Sequence, residues 1–501
     1  MEMFDHLALG LSVAGQPINL GYCFAGVLLG TAIGVLPGLG PLATIAMLLP
    51  LTFGLDPTTS LIMLAGVYYG SQYGGSTTAI LINLPGEAAS SVTTIDGYQM
   101  ARRGKAGSAL AAAALGSFFA GSMATLLIAF VAIPLTTVAL SFGAAEYFAL
   151  LTLGLVSSIA LASGSVLKAI GMVTLGLLLG LTGSDIYTGA ERFTFGMPEM
   201  FDGLDLVAIA VGTFGIVEMF RNFEATDESQ GTISEVGSIW PSLSDFKRII
   251  PPSIRGTAIG SVLGVLPGGG AMLSSFVAYN LEKRVSSNAA EFGKGAIEGV
   301  AAPESANNAG AQTSFIPMLA LGVPSNAVMA LMIGAMIMQG IESGPNVINN
   351  KPDLFWGLIM SMWIGNAMLV ILNLPLIGVW VSLLRVPYHV LFPAILVFCC
   401  IGVYSVNNAT FGVYQIIISG LLGYALSKLD CEIPPFILGF ILGPMLEEHF
   451  RRALILADGD LSVFITRPIS AVLLVLAVTL LVSMSLPMIA ERRNRVFVEE
   501  S

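Results

Sequence analysis

Two stretches of this chain gather small polar side chains into apolar surroundings and break them with proline. The first runs from Tyr73 to Glu87 and carries Gly75, Ser76, Thr77, Thr78, Asn83, Pro85 and Gly86. The second runs from Asn307 to Asn326 and carries Asn308, Gln312, Thr313, Ser314, Pro324 and Ser325. Hydroxyls and amides are neutral donors and acceptors, suited to binding a carboxylate-bearing solute and, through their oxygens, Na⁺. Each stretch is apolar enough to enter a membrane yet interrupted midway, the pattern of a re-entrant hairpin whose tip faces a cavity. The alternative for any one of these residues is hydrogen bonding between helices, worth about 0.6 kcal/mol per contact. Glu87 and Glu304 flank the stretches. Ionisable groups inside a membrane are functional by default, so both, with Asn307 and Asn308, are candidates for a coupling cation or proton. A water interface is the other placement open to them.

A second pair of breaks precedes the first. The run Gly34 to Gly40 and the run Gly264 to Gly270 share the pattern G-V-L-P-G-x-G. Pro37 and Pro267 have no N–H to donate, and the neighbouring glycines accept backbone angles that other residues resist. Such a break orphans carbonyls at one half-helix end and N–H groups at the other. In hydrocarbon each orphan is costly, so broken backbone survives only inside protein or beside water. The N–H end attracts an anion and the carbonyl end a cation. Paired breaks in corresponding places point to a transporter's site, with a packing kink as the alternative. Pro37, Gly38, Gly40, Pro267, Gly268 and Gly270 therefore join the cation candidates. Half-helix N-termini at Gly86 and Ser325 are expected to supply the positive field for substrate.

The elements that must carry these residues are membrane helices. Of 501 residues, 55% are hydrophobic and 11% charged, against about 25% charged in an average soluble domain. Mean hydropathy is +0.84. A single soluble core could not hide that much apolar surface, whereas lipid solvates it. The 57 glycines and 25 prolines fit close helix packing and broken helices better than loops. Hydropathy supports roughly 10–13 crossings, each needing about 20 apolar residues. The net charge of −11 argues against nucleic-acid binding. Three histidines and four cysteines without ligand spacing argue against a metal or haem cofactor. No nucleophile–base arrangement is suggested and the phosphate-loop pattern G-x-x-x-x-G-K-[ST] is absent, so neither an enzyme nor an ATP-driven pump is expected. No cleavable signal peptide is apparent, and the first helix is expected to be retained. Isolated charges at Glu146, Lys168, Asp185 and Glu218 are expected to snorkel from helix ends.

The breaks reveal a duplication. Pro267 follows Pro37 by 230 positions, and Pro324 follows Pro85 by 239. Between the copies lies one clearly aqueous stretch with Glu224, Asp227, Glu228 and Glu235. The expected architecture is an all-α polytopic membrane protein of two internal repeats, with broken helices and re-entrant hairpins. The first repeat spans 1–221, the polar loop 222–250 and the second repeat 251–501. Inversion of the repeats requires an odd number of crossings between them and is expected from other ion-coupled carriers. Arg492, Arg493 and Arg495 after the last span, and Arg102, Arg103 and Lys105 after the first polar stretch, place both segments on the cytoplasmic side.

The motifs together resemble a known family. G-V-L-P-G-x-G is followed by Y-G-G-S-x-x-x-I-L-x-N-x-P-G-E-A from Tyr73, by D-G-Y-x-x-A-R-x-G from Asp96, and by the run Glu291 to Asn308. Along essentially its whole length the chain is similar to the large membrane subunit of tripartite tricarboxylate transporters, the TctA family. One departure is Ser325-Asn326 after Pro324, where the family tends to show Gly-Ser. The resemblance implies a multi-pass permease of the bacterial inner membrane, partnered by a small membrane subunit and a periplasmic solute-binding protein. It implies import of tricarboxylates such as citrate, or related carboxylates, driven by a Na⁺ or H⁺ gradient. A cation-coupled carboxylate symporter that needs no binding protein is the nearest rival.

Overall fold

The computed structural model describes residues 3–36, 39–162, 165–225, 236–266, 270–341, 343–384, 396–397, 399–405 and 408–485. The readings placed on Pro37, Gly38, Pro267, Gly268, Asp227, Glu228, Glu235, Arg492, Arg493 and Arg495 lie outside these residues. Within them the chain is almost wholly α-helical, apart from the two-residue antiparallel pair β1 (Gly183–Ser184) and β2 (Glu191–Arg192).

The first half runs through α1 (Met3–Ala14), α2 (Pro17–Gly34), α3 (Pro41–Leu48), α4 (Pro57–Ile82), α5 (Ser91–Arg102), α6 (Ala106–Ala139), α7 (Ala144–Leu161) and α8 (Val166–Gly180). Next come α9 (Leu206–Ala210), a π-turn and α10 (Val217–Ala225). The second half opens with α11 (Leu243–Val265), α12 (Gly270–Val285), α13 (Glu298–Thr313), α14 (Phe315–Leu321) and α15 (Ala327–Met338). It continues with α16 (Asn346–Asn350), α17 (Pro352–Asn373), α18 (Ile377–Leu383), α19 (Thr410–Lys428), α20 (Ile433–Leu456), α21 (Val463–Thr466) and α22 (Pro468–Ser485). Four of the described helices (α2, α6, α17 and α19) are long and apolar enough to cross a membrane by length and composition. That is fewer than the crossings hydropathy suggested, because the remaining helices are shorter, broken or too polar.

The polar segments sit innermost. Every residue of α4 from Thr59 to Leu81 is buried, and so is all of α13. Neither helix is lipid-facing. Their hydroxyls and amides are satisfied or sequestered within protein, which is where a polar helix is tolerated in a membrane. Close approach is made possible by glycine. On α2, a β-carbon at Gly26, Gly30 or Gly34 would collide with the carbonyl oxygens of Met63, Val67 and Ser71 on α4. On α11, a β-carbon at Gly256, Gly260 or Gly264 would collide with those of Ala302, Ala306 and Gly310 on α13. Small residues at this spacing let two backbones touch and maximise dispersion contact. Residue numbers rise together along both contacts, so each pair of helices runs parallel.

Parallel neighbours imply that the chain doubles back between them. Thr59 Oγ1 donates to Asn19 Oδ1 at 2.6 Å, and Gln339 Nε2 donates to the Thr52 carbonyl at 3.0 Å. The start of α2, the end of the segment after α3, the start of α4 and the residue after α15 therefore share one end of the molecule. At the Asp96 end, the Asp96 carboxylate accepts from Gly295 N at 2.7 Å, Ala296 N at 2.9 Å and Tyr279 Oη at 2.9 Å. Arg248 pairs there with Glu298 at 2.8 Å, and Arg255 with Glu282 at 2.6 Å. Gly97 of α5 lies against Ile80, at the far end of α4 from Thr59. At 1.5 Å rise per residue the two ends are about 30 Å apart, a bilayer's hydrocarbon thickness.

This corrects one expectation. Both α2 and α3 have their outer ends at the Thr52 end, and α11 and α12 at the Asp96 end, so the chain reverses between the helices of each pair. The polar segments instead form interrupted crossings, since α4 starts at one end and α5 finishes at the other. The physical reason is burial. A wholly internal helix can afford polar residues along its length and need not turn back at them. Asp185 also departs from snorkelling: it is 6% exposed and paired with Arg192 and with Arg451 at 2.9 Å.

Candidate functional site

Both polar crossings are interrupted by the same local device. Helix α4 ends on Asn83 in the left-handed region (φ 60°), and α14 ends on Gly322 likewise (φ 70°). Either residue accepts that conformation at low strain, glycine for lack of a β-carbon and asparagine because its short side chain tolerates it. After each, Pro85 or Pro324 keeps the chain extended until it reaches an N-cap. These caps are Glu87 (φ −146°) before the short helical turn leading into α5, and Asn326 (φ −155°) before α15. Asn326 Oδ1 accepts from Met329 N at 3.0 Å, as an N-cap should. Glu87 and Asn326 are 239 positions apart, the spacing that separates Pro85 from Pro324.

The two interruptions meet at a cavity of about 360 Å³. Its wall includes Gly40 and Gly270 beside the earlier breaks, Glu87 at the first cap, and Pro324, Ser325 and Asn326 at the second. An adjoining cavity of about 660 Å³ shares Gly40 and Glu87 and adds Pro85, Gly86, Glu218, Arg221 and Asp430. Volumes of this order suit small organic ligands. The N-terminal ends of the helical segments after both caps face this space, where their orphan N–H groups favour an anion.

The other predicted residues form a buried polar seam away from the cavity. Ser76 Oγ donates to Glu304 Oε2 at 2.6 Å and Thr93 Oγ1 to Glu304 Oε1 at 2.5 Å. Asn307 Nδ2 donates to Glu87 Oε1 at 3.0 Å, linking the seam to the cavity wall. Asn308 Nδ2 donates to Ser117 Oγ at 2.7 Å, and Thr125 Oγ1 to Gln312 Oε1 at 2.5 Å. Thr78 and Thr313 return hydroxyl bonds to the Val35 and Ala309 carbonyls, and Ser314 to that of Ala311. Thr77 borders a void just large enough for water, beside Ser76 and Tyr73. Gly75 packs against Gly86, and Asn83 is solvent-exposed and outside both cavities.

Several wall residues carried no signal in the sequence. Tyr68 and Gln72 lie within the turn and a half before the polar stretch, on a helix buried all round, so no periodicity marks them as wall residues. Ser158 on α7 and Glu432 before α20 reach the cavity from elements with no motif. Thr93 and Ser117 become partners of Glu304 and Asn308 only by tertiary packing.

Comparison with known proteins points to a family. The model described as the tripartite tricarboxylate transporter TctA family matches residues 20–438. An uncharacterised 52.8 kDa protein in the TAR-I ttuC′ 3′ region of Agrobacterium vitis is 61% identical over 500 residues, covering 100% of both chains. An uncharacterised protein in the TAR-II ttuC′ 3′ region of the same organism is 61% identical over 241 residues, 48% of this chain and 100% of its own. No solved structure matches. With most of its length matched by the family and its apolar helices wrapped around a polar interior, this multi-pass membrane chain belongs to the tripartite tricarboxylate transporter TctA family.

Proposed function

We propose that this chain is the large permease subunit of a binding-protein-dependent, ion-gradient-driven importer of tricarboxylates or related carboxylates, and that substrate occupies the 360 Å³ cavity. The observation that carries the reading is convergence. Residues from both helix breaks and both N-caps line one space, although they are scattered from Gly40 to Asn326. Substrate carboxylates are held by the N-terminal ends of the segments after Glu87 and Asn326, with Ser325 as a hydroxyl donor. A small membrane subunit and a periplasmic binding protein complete the system in the cytoplasmic membrane.

The chain is further read as two inverted repeats. What supports this is reciprocity: the offsets of 230 and 239 recur between the glycines of α2 and α11 and between the carbonyls they meet on α4 and α13. Asp96 of α5, after the first interrupted helix, bonds beside the start of α13, while Gln339, after α15 and the second interrupted helix, bonds beside the start of α4. Such an arrangement allows one bundle to move against the other around a fixed site.

The test is uptake of a tricarboxylate such as citrate into proteoliposomes carrying the permease and small subunit, with and without the purified binding protein. Uptake that needs both the binding protein and an ion gradient is expected. Uptake indifferent to the binding protein would favour the independent symporter.

A further inference from the structure

Glu87 stands apart from every other carboxylate of the interior. It lines both cavities and is 9% exposed, whereas Glu304 is fully buried and held off the cavity by Ser76 and Thr93. Neither belongs to any of the ion pairs among the described residues; those involve Arg192, Arg248, Arg255, Arg451, Arg467, Lys168 and Lys428 with other acids. The groups around Glu87 are Glu304 from α13 within the protein, Tyr68 from α4 and Glu432 before α20 along the cavity wall, and Glu218, Arg221 and Asp430 across the adjoining cavity. Among the described residues, no lysine, arginine or histidine lines the 360 Å³ cavity. Arg221 borders only the larger one, where its Nε bonds Ser427 Oγ.

A second observation points to a ligand in the same space. Gln72 lines the cavity and is 1% exposed, yet neither its Nε2 nor its Oε1 makes a hydrogen bond of regular geometry, the neighbouring Tyr68 hydroxyl included. A buried amide with both atoms unpaired is costly unless something fills the cavity and bonds it. Its NH₂ is a donor for a carboxylate. The same cavity wall carries Glu87, which, if ionised, repels that carboxylate in a medium of low dielectric. An anion and an uncompensated Glu87 exclude one another here.

We infer that Glu87 carries the coupling positive charge, as a proton or a bound Na⁺, and that a substrate carboxylate enters beside Gln72 only while that charge is in place. The inference rests on the cavity being the substrate site and assigns to it the residue on which coupling depends. Glu304 is a positioning residue: fixed by two hydroxyls, it anchors the helix whose Asn307 amide orients Glu87. Coupling then needs no basic residue at the site. The neutralised Glu87 turns from an electrostatic barrier into a hydrogen-bonding wall, and the helix N-termini suffice to hold the anion.

The first measurement uses the purified full-length chain in detergent without substrate. Either saturable ²²Na⁺ binding or a carboxylic C=O infrared band that titrates with pH is expected in the parent protein, and which one appears identifies the ion. Glu87→Gln should lose that signal, and Glu224→Gln, a surface pair with Lys428, should keep it. The same signal in Glu87→Gln, or neither signal in the parent, overturns the inference. The second measurement is citrate exchange in proteoliposomes with the binding protein. In the parent, apparent affinity should change about tenfold per pH unit, or per decade of Na⁺, for one linked ion. In Glu87→Gln, exchange should persist with that slope flattened; an unchanged slope overturns the inference. Should Glu87→Gln fail to fold, Glu87→Asp is expected to keep the slope with a displaced midpoint, and an undisplaced midpoint counts against it. Loss of all citrate exchange by the parent would refute the proposed substrate while leaving the first measurement intact.

Discussion

Glu304 and Asn83 show how differently two residues of similar promise are used. Glu304 lies in a dry interior where a carboxylate is tolerated because hydroxyls from two other helices donate to both its oxygens. Ser76→Ala leaves one oxygen with its donor removed and is expected to destabilise the protein by about 1–3 kcal/mol. The check is the melting temperature in detergent, with Ser76→Thr, which keeps the hydroxyl, closer to the parent. Asn83 was a candidate substrate ligand by chemistry, but the fold uses its backbone: it is exposed and left-handed. Asn83→Gly should therefore retain folding and uptake, while Asn83→Leu loses roughly 1–2 kcal/mol of stability. Equal loss in both variants would restore a side-chain role. Glu87 was legible in the sequence because a lone charge beside Pro-Gly in an apolar run is conspicuous. Gln72 was not, because a single amide on a helix face has no local mark that it borders a void.

At the scale of elements, the parallel contacts of α2 with α4 and α11 with α13 decide how the interior is built. Gly30 and Gly260 are pressed onto the Val67 and Ala306 carbonyls, whereas Gly21, on the same helix as Gly30, has nothing within 4 Å of where a β-carbon would stand. Gly30→Leu and Gly260→Leu are expected to cost more than about 2 kcal/mol each through overpacking against backbone that cannot yield. Gly21→Ala should be neutral or stabilising by up to about 1 kcal/mol, since alanine is the better helix former. Yield of monodisperse protein after detergent extraction, and thermal unfolding, separate these cases. Hydropathy alone could not anticipate this layer. Polar helices such as α13 look unfit to cross a membrane until it is known that other helices wrap them.

For the whole molecule, one end is marked by basic residues. The Asp96 end gathers Arg102, Arg103, Lys105, Arg248, Arg255, Lys283, Arg284 and Lys294. By the positive-inside rule we propose that this end is cytoplasmic. In a chain whose four native cysteines are replaced, Ser287→Cys should react with an impermeant maleimide only after the membrane is opened. Thr188→Cys, in the loop that follows α8, should react from outside in intact cells. The reverse pattern would reject the assignment.

The sequence by itself determined membrane residence, the duplicated breaks and the family. Each rests on composition or on short patterns whose meaning does not depend on distant contacts: apolar excess demands lipid, and proline breaks a helix wherever it sits. Tertiary structure decided where the chain reverses, which polar residues face the cavity and which are sealed between helices. Those outcomes depend on which helices come to lie side by side, and glycine faces that meet helices 37 or 46 positions further on help to settle that. Thus Ser76 and Glu304, both plausible ligands along the chain, bond each other across 228 positions, while Glu87, Gln72 and Ser325 are left to face the space between.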